Sequence, residues 1–573
     1  MSFSELFESG FTKRNEDHFA AIVRVAMSDG VITDNEKAFL DRLATRLDIT
    51  EIEYKAILKD YKSHPINPPT SYNARLERLF DLARMVWADD IEGPNQHQLL
   101  DGTHPSQQRL IFEELLAHHF SLLRLRQEMQ SHKSIPLSFI EDVETALLEP
   151  LPFTLTGAQQ HVANEIKSDI AKPYPMLRLV QGDVGSGKTI VAAMAAAQTV
   201  GNHYQVALMA PTEILAEQHW VNFKQWFESQ GISMTWLSGK TKGKQRTEAL
   251  ARIASGEASI VIGTHALFQP EVQFHKLALV VIDEQHRFGV AQRSKLWKKN
   301  LLPPHQLVMT ATPIPRTLAL TFYGDLDVSV IDEMPPGRKE IKTIHRFDNS
   351  RMKIFGFLEE EIKKGRQVYV VYPLIQESEA MDYKDLMDGY ESVSREFPSP
   401  KYQISIVHGK MKPADKEYEM QRFVKGETQI MVATTVIEVG VNVPNASVMI
   451  IESSERFGLS QLHQLRGRVG RGADQSYCIL LSSFKLSAEA KTRLKTMVET
   501  TDGFKIAEVD LKLRGPGNLM GTQQSGVLNL KIADVVKDTQ ILVSARNTAI
   551  EVLQEDPNLS KEENLPIKKF MFI

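Results

Sequence analysis

The stretch Leu177–Thr189, LRLVQGDVGSGKT, joins a short apolar run to a glycine-spaced lysine and hydroxyl. Within it, Gly182-Asp183-Val184-Gly185-Ser186-Gly187-Lys188-Thr189 satisfies G-x-x-x-x-G-K-[ST] without a mismatch, and the alanine-rich run Ile190 to Gln198 that follows is a good helix former. Strand, loop and helix stand in the order that a phosphate cradle requires. Glycines let the backbone curl until successive N–H groups point inward, and the positive end of the helix dipole faces the same spot. In that geometry Gly182, Asp183, Gly185, Ser186 and Gly187 wrap the phosphates of ATP, Lys188 reaches the β and γ groups, and Thr189 holds Mg²⁺. The bland alternative, a glycine-rich turn with no ligand, leaves every filled position and both flanks to coincidence.

About ninety residues later the apolar run Val280-Val281-Ile282 delivers Asp283 and Glu284 at its end. In a doubly wound sheet that edge is where ligands bind, so Asp283 can share the Mg²⁺ with Thr189 while Glu284 orients and deprotonates a water. Without the upstream loop, the pair would read equally well as a solvated helix start. Gln464-Leu465-Arg466-Gly467-Arg468-Val469-Gly470-Arg471 is a third chemical stretch, dense in arginine and spaced by glycine. Taken alone it fits a phosphate-backbone patch as well as an arginine finger. Its place behind a second series of apolar strands favours the finger, with ATP between two domains.

The elements that must position these groups form a continuous alternation of apolar runs and helical stretches from Leu151 to about Ser483. Ten strands are expected, beginning at Leu177, Gln205, Ser259, Leu279, Gln306, Gln367, Gln403, Gln429, Ser447 and Tyr477. They make an α/β fold of two parallel sheets of five or more strands, each covered by helices on both faces. A Pro-Gly turn in PPGRKEIKT, Pro335 to Thr343, marks the seam.

Ahead of this core, residues 1–98 read as an all-helical domain, with helical apolar spacing in Phe19–Met27 and Phe39–Leu47. A weak internal repeat lays Ile22–Glu36 on Leu82–Gln96, across the Pro-rich break His64–Ser71. Asp29, Gly30, Ile32 and Glu36 match half of a calcium loop, but Val25 and Met27 stand where its first acids belong, so a helix–turn–helix with Asp29 capping the second helix is the expectation. Residues 99–150 supply a polar joint and a docking helix, Arg109 to Gln130.

Composition narrows the class. The 573 residues suit about three to five domains. No apolar run approaches the roughly 20 residues that span a bilayer, and the N-terminus is charged where an export signal is apolar, so a cytoplasmic protein without a membrane segment is expected. The single Cys478 excludes an internal disulfide and reads as a buried apolar residue of SYCILL. With a net charge of −5, any nucleic-acid path must be a local basic surface.

The ordered motifs LTGAQ (from Leu155), GDVGSGKT, APTEILAEQH (from Ala210), GTHAL (from Gly263), DEQH, TATPIPRTL (from Thr310), VHGKM (from Val407), ATTVIEVGVNVP (from Ala433) and QLHQLRGRVGRG (from Gln461) resemble a superfamily 2 helicase. DEQHRFGVAQR and the tail DGFKIAEVDLKLRGPGNLMGTQQSG, Asp502 to Gly526, are those of RecG-type DNA helicases, and the match runs over about residues 106–573. The resemblance implies tandem RecA-like domains over 151–342 and 343–485, followed by a helical-hairpin translocation region in 486–573. It also implies an ATP- and Mg²⁺-dependent motor on branched or duplex DNA, acting as a monomer in repair and recombination. Residue by residue, Gln159 would read the adenine edge with Phe153 stacking beside it, and Thr310 and Thr312 would couple ATP state to domain closure. Thr212, Thr264, His265 and Thr435 would lie along a DNA strand through phosphate contacts that carry no sequence information. Gln464, Arg468 and Arg471 would face the γ phosphate, with Arg471 as the finger, and Arg514 and Gln524 would turn domain motion into movement along duplex DNA.

Departures accompany the match. Asn442 stands where relatives commonly have aspartate, and Gln523 where they have arginine. The family carries an oligonucleotide-binding wedge of short strands ahead of the joint helix, whereas residues 1–98 resemble a TerB- or DjlA-like helical unit, a candidate protein-partner module. Two further readings therefore stay open: a duplex translocase that does not unwind, and a partner-recruiting module with a weak motor.

Overall fold

The structure is a computed structural model that describes residues 3–27, 30–63, 81, 104–284, 302–311, 313–315, 326–373, 379–434, 443–472, 474–514, 530, 532–565 and 567. Contacts divide the chain into two compact units, one of Met1–Ser121 with Leu530–Ile573 and one of Leu122–Asn529. No helix among the described residues is long and apolar enough to cross a membrane.

The first unit begins with α1 (Phe3–Ala26), α2 (Asp34–Arg46) and α3 (Glu51–Asp60). Phe19, Ile22, Val23, Leu40, Leu43 and Ile57 recur at helical spacing and close one small core. Both later helices start with a capping box. Thr33 and Thr50 accept from the backbone N–H of Glu36 and Glu53, whose carboxylates accept in return from the threonine N–H groups. The cap of α2 is therefore Thr33, not the expected Asp29. Each helix start here is sealed by its own threonine, and Asp29 lies outside the described residues, as do 64–80 and 82–103 with the Pro-rich break and the second half of the repeat. Asp81 is buried, accepts from Arg46 and lies 3.3 Å from His18 Nε2, tying α1 to α2.

Helix α4 (Pro105–Ser131) covers the expected docking helix and begins four residues earlier. In the first unit its buried Glu114 accepts from the backbone N–H groups of Ile532 and Ala533 at 3.0 and 2.9 Å. In the second unit Arg126 grips Asp327 with two bonds of 2.7 and 2.9 Å.

The second unit holds two sheets. After α5 (Glu141–Leu148) and α6 (Gly157–Ile170), the first lobe runs β1 (Leu177–Gly182), α7 (Lys188–Gly201), β2 (Gln205–Met209), α8 (Glu213–Phe227), β3 (Met234–Leu237), α9 (Gly243–Ser255), β4 (Ile260–Gly263), β5 (Leu277–Asp283), β6 (His305–Thr310) and β7 (Asp327–Ile331). Its strands lie in the order β3-β4-β2-β5-β6-β1-β7, all parallel. The second lobe runs β8 (Lys342–Phe347), α10 (Arg351–Lys363), β9 (Gln367–Tyr372), α11 (Glu379–Glu396), β10 (Ile404–Val407), α12 (Pro413–Val424), β11 (Ile430–Thr434), β12 (Ala446–Ile451), α13 (Leu459–Arg466) and β13 (Tyr477–Ser482). Here the order is β10-β11-β9-β12-β13-β8, again all parallel. A helical pair, α14 (Ala488–Glu499) and α15 (Gly503–Arg514), follows, and α16 (Thr539–Glu555) returns to the first unit.

The fold is thus α/β with two tandem RecA-like parallel sheets. β1, β2, β4, β5 and β6 are buried along their whole length, as parallel strands covered on both faces must be. Helix α7 packs its alanines onto the first sheet, so its backbone comes close and fixes the loop before it. Arg178, buried within β1, is satisfied by Asp169, Glu165 and Ser329, which lock β1 to α6 and β7. Cys478 is fully buried in β13.

Candidate nucleotide site between two lobes

β1 delivers the chain to the sheet's C-terminal edge, where Gly185 and Gly187 take φ of +81° and +83°. Only glycine enters that region without cost, and the turn they make aims α7 at the loop. Close approach adds a second reason for glycine. A Cβ on Gly187 would fall 2.1 Å from Gln159 Nε2, and one on Gly182 would fall 2.6 Å from Ser186 Oγ. Lys188 Nζ donates to the carbonyls of Gly182 and Asp183 at 2.8 and 2.9 Å. Burial pulls the Lys188 ammonium below its ordinary pKa, and Glu284, Asp283 and Asp183 oppose that pull.

Two strands away, β5 ends in Asp283, whose Oδ1 accepts from the Glu284 N–H at 3.0 Å and whose Oδ2 meets His219 Nε2 at 2.7 Å. Glu284 is left-handed, φ +54°, a conformation that costs a side chain energy and turns its carboxylate back into the cleft. Burial and then the Asp283 charge push the Glu284 carboxyl up to about 7, against the pull of Lys188, Arg468 and an Ala311 backbone bond. A carboxyl in that range exchanges protons near neutral pH.

The second lobe supplies the opposing wall. α13 ends at Arg466, and the turn after it carries Arg468 and Arg471, with Arg471 Nε donating to Gly467 O at 3.4 Å. Gly467 comes so near the first lobe that a Cβ on it would lie 2.8 Å from Val184 Cβ. Burial, then the neighbouring Arg468 guanidinium, pulls Arg471 down to about 9. Lys188, Thr189, Asp283, Glu284, Gln464, Arg468 and Arg471 line one cleft of about 920 Å³. Lys188, Arg338, Arg468 and Arg471 thus share one cleft with Glu217, Asp283 and Glu284, an arrangement suited to a metal-chelated polyphosphate.

Other expected residues sit elsewhere. Gln159 is buried behind the loop, accepting from Thr156 N–H at 2.9 Å and donating to Ser186 O at 2.9 Å. Its amide caps α6 and braces the loop, and it does not line the cleft. Phe153 is 41 % exposed and outside the cleft as well. Asp183 turns its carboxylate away from the phosphate cradle, to Val184 N–H at 2.6 Å and to His463 Nε2 at 2.6 Å. Thr212 is the N-cap of α8 and Thr264 caps the short turn that contains His265, both at the C-terminal edge of the first sheet. Thr310 ends β6 and is buried. Thr312, Thr435, Gln524 and the Arg514 side chain lie outside the described residues.

Four residues were missed by sequence reasoning. His219 stands two helical turns beyond Thr212 within APTEILAEQH, and that spacing was its available signal. His463 and Arg466 are three apart on α13; because a guanidinium only donates, His463 Nδ1 accepts from Arg466 at 3.0 Å and Nε2 carries the proton given to Asp183. Arg466 also donates to Met497 O and Thr500 O, so the chain of bonds runs from the phosphate loop to the joint between α14 and α15. Arg338, in the segment that joins the lobes, carried no signal beyond its Pro-Pro-Gly turn.

Comparison with known proteins matches this architecture. Residues 156–321 fit the family model of the DEAD/DEAH box helicase, residues 349–473 the helicase conserved C-terminal domain, and residues 500–570 the C-terminal domain 3 of ATP-dependent DNA helicase RecG. The ATP-dependent DNA helicase RecG of Escherichia coli (strain K12) is 52 % identical over 464 residues, 80 % of this chain and 67 % of the relative. The chain belongs to the RecG family of ATP-dependent DNA helicases. RecG of Bacillus subtilis (strain 168) is 47 % identical over 473 residues, 81 % of this chain and 69 % of that one. A solved structure of RecG bound to a three-way DNA junction superposes with a TM-score of 0.65 at 38 % identity, over 82 % of this chain and 64 % of that chain. The chain spans about two thirds of the length of the RecG proteins it matches.

Proposed function

We propose that this chain is an ATP-driven DNA motor of RecG type that acts on branched DNA, such as forks and recombination junctions. The observation that carries the reading is the convergence of Lys188, Asp283 and Glu284 from one lobe with Arg468 and Arg471 from the other on a single cleft. Lys188 neutralises the β and γ phosphates of ATP, and the Glu284 carboxylate takes the proton of the attacking water. Arg471, helped by Arg468, stabilises the charge that grows on the γ-phosphoryl group as it leaves.

The Thr189 hydroxyl and the Asp283 carboxylate, both on this cleft, fit Mg²⁺, which takes one or two protein oxygens and fills its shell with phosphate and water. When bound it adds charge stabilisation on the phosphate oxygens. Because Lys188 stands on one lobe and Arg468 and Arg471 on the other, ATP held between them favours lobe closure and hydrolysis removes that preference. Thr212, Thr264 and His265, at the C-terminal edge of the first sheet, are read as DNA-backbone contacts. The family membership and the junction-bound RecG structure support DNA, and branched DNA in particular, as the substrate.

The test is steady-state ATPase on the purified chain without DNA and with single strands, duplex and a three-way fork, at low and moderate salt. Strongest stimulation by the fork, together with its unwinding, is the expected result. Equal stimulation by every DNA with no strand separation would replace this reading with a translocase that lacks a splitting element.

A further inference from the structure

Ten residues, 332–341, join the last strand of the first lobe to the first strand of the second. This strap is tied down at both ends. Glu333 Oε2 accepts from the Ala158 N–H at 3.1 Å at the start of α6, and Glu340 Oε1 accepts from the Thr501 hydroxyl at 2.7 Å at the joint of α14 and α15. Between the ties, Pro335 and Pro336 hold φ near their fixed value and Gly337 takes φ +86°, a rigid turn that turns the next residue inward. That residue is Arg338.

Its guanidinium touches both halves of the nucleotide site. Nη1 donates to Val184 O of the phosphate loop at 2.7 Å, and Nε donates to Gly470 O of the arginine turn at 3.1 Å. The group lies so low over the loop that a Cβ on Gly185 would fall 1.8 Å from Nη1. Val184 is thereby held twice, by its carbonyl through Arg338 and by its side chain against Gly467. A guanidinium is planar with fixed N–H directions, so it cannot keep both bonds if the two carbonyls drift apart.

We propose that Arg338 is a positioning residue that sets the register between the phosphate loop and the arginine turn, so that Lys188 and Arg471 address the same phosphate. The proposal rests on the reading of the cleft as an ATPase site. Arg338 lines the same cleft, yet it is assigned no contact with ATP. Its effect travels through two backbone carbonyls, and it falls on turnover because an error of about 1 Å in placement costs on the order of 10²-fold in rate.

The experiment compares DNA-stimulated ATPase of the wild-type chain with Arg338→Ala and Arg338→Lys, with thermal melting of each. Expected for Arg338→Ala is a kcat lower by about 10- to 100-fold with KM for ATP within about 3-fold, since Lys188, Thr189 and the loop amides are intact. Expected for Arg338→Lys is a kcat within about 3-fold of the alanine variant, because one ammonium cannot span both carbonyls in a fixed geometry. Lysine keeps the charge and most of the packing, so it remains informative if the alanine variant melts early. Full activity in Arg338→Ala overturns the proposal. So does full recovery in Arg338→Lys, which would leave only a charge effect, or a KM rise above tenfold at unchanged kcat, which would make Arg338 a nucleotide ligand. A wild-type chain without DNA-stimulated ATPase would instead defeat the reading of the cleft, whatever the variants do.

Discussion

Position by position, β10-β11-β9-β12-β13-β8 repeats the order β3-β4-β2-β5-β6-β1 of the first lobe. The likeness reaches single side chains. Gln205 at the start of β2 donates to Ile253 O and Ala258 O, and Gln367 at the start of β9 donates to Phe423 O and Thr428 O. Strand register then aligns Asp283 with Glu452, since Ile282 faces Met209 and Ile451 faces Val371. The residue after each acid is left-handed, Glu284 at φ +54° and Ser453 at φ +47°. Lys188 opens α7, and Arg351 opens α10.

What differs is local. The glycine loop of the first lobe is replaced in the second by Asp348-Asn349-Ser350, and the proposed base Glu284 by Ser453. Arg351 Nη2 donates to Glu452 Oε2 at 2.7 Å, so the cation and the acid at the matching edge satisfy each other. Burial still pushes the Glu452 carboxyl up to about 7. One backbone plan therefore serves two ends: with glycines it forms the proposed phosphate cradle, and without them it closes on its own ion pair, while the arginines of its lobe line the neighbour's cleft.

The comparison breaks first at Lys188. Lys188→Ala should lower ATP turnover by about 10³-fold or more, measured by steady-state phosphate release, because no other group on that side replaces the ammonium at the phosphates. Retained turnover would mean that the first lobe does not hold the nucleotide as described. Next, Glu284→Gln should cost about 10²- to 10⁴-fold in kcat with ATP binding preserved. The sign of the pH effect follows from the raised carboxyl: near pH 6 Glu284 is mostly protonated and no base, so wild-type kcat should fall about tenfold per unit below pH 7. A flat profile between pH 6 and 8 would remove Glu284 from the role of base.

Gly467→Ala is expected to be milder. Its Cβ would lie 2.8 Å from Val184 Cβ, so the lobes must part slightly, and kcat should fall about tenfold with little change in melting temperature. The smallest effect is predicted in the second lobe. Glu452→Gln should leave kcat within about twofold and cost about 1–3 kcal/mol of stability, read by denaturant unfolding, since it disturbs only an internal pair. A large loss of ATPase there would show that the second lobe's edge takes part in the chemistry.

Legibility followed burial. All ten expected strands are present, but β3, β7 and β8 were missed, three of the four strands that end a sheet; β10 is the fourth and was expected. An edge strand lacks the continuous apolar run that marks an interior one; β8, KTIHRF, is half-buried at best, whereas QVYVVY of β9 is buried throughout. The site was legible where spacing along the chain is itself the chemistry, as in the glycine loop. It was not legible where a side chain's partner is distant: Gln159 and Asp183 stand in the expected motifs, yet one braces the loop and the other pairs with His463, 280 residues on.

Local sequence alone determined the glycine-loop motif, the apolar strand that ends in Asp283 and Glu284, the arginine-rich turn and the alternation of strands and helices, because each depends on residues a few positions apart. Tertiary structure decided which of these meet. The convergence of Arg468 and Arg471 with Lys188, the His219–Asp283 and His463–Asp183 pairs and the grip of Arg338 on two loops all join residues 60 or more positions apart. The His219–Asp283 pair arises within the first lobe and the others only when the two lobes meet, and no local pattern encodes either distance.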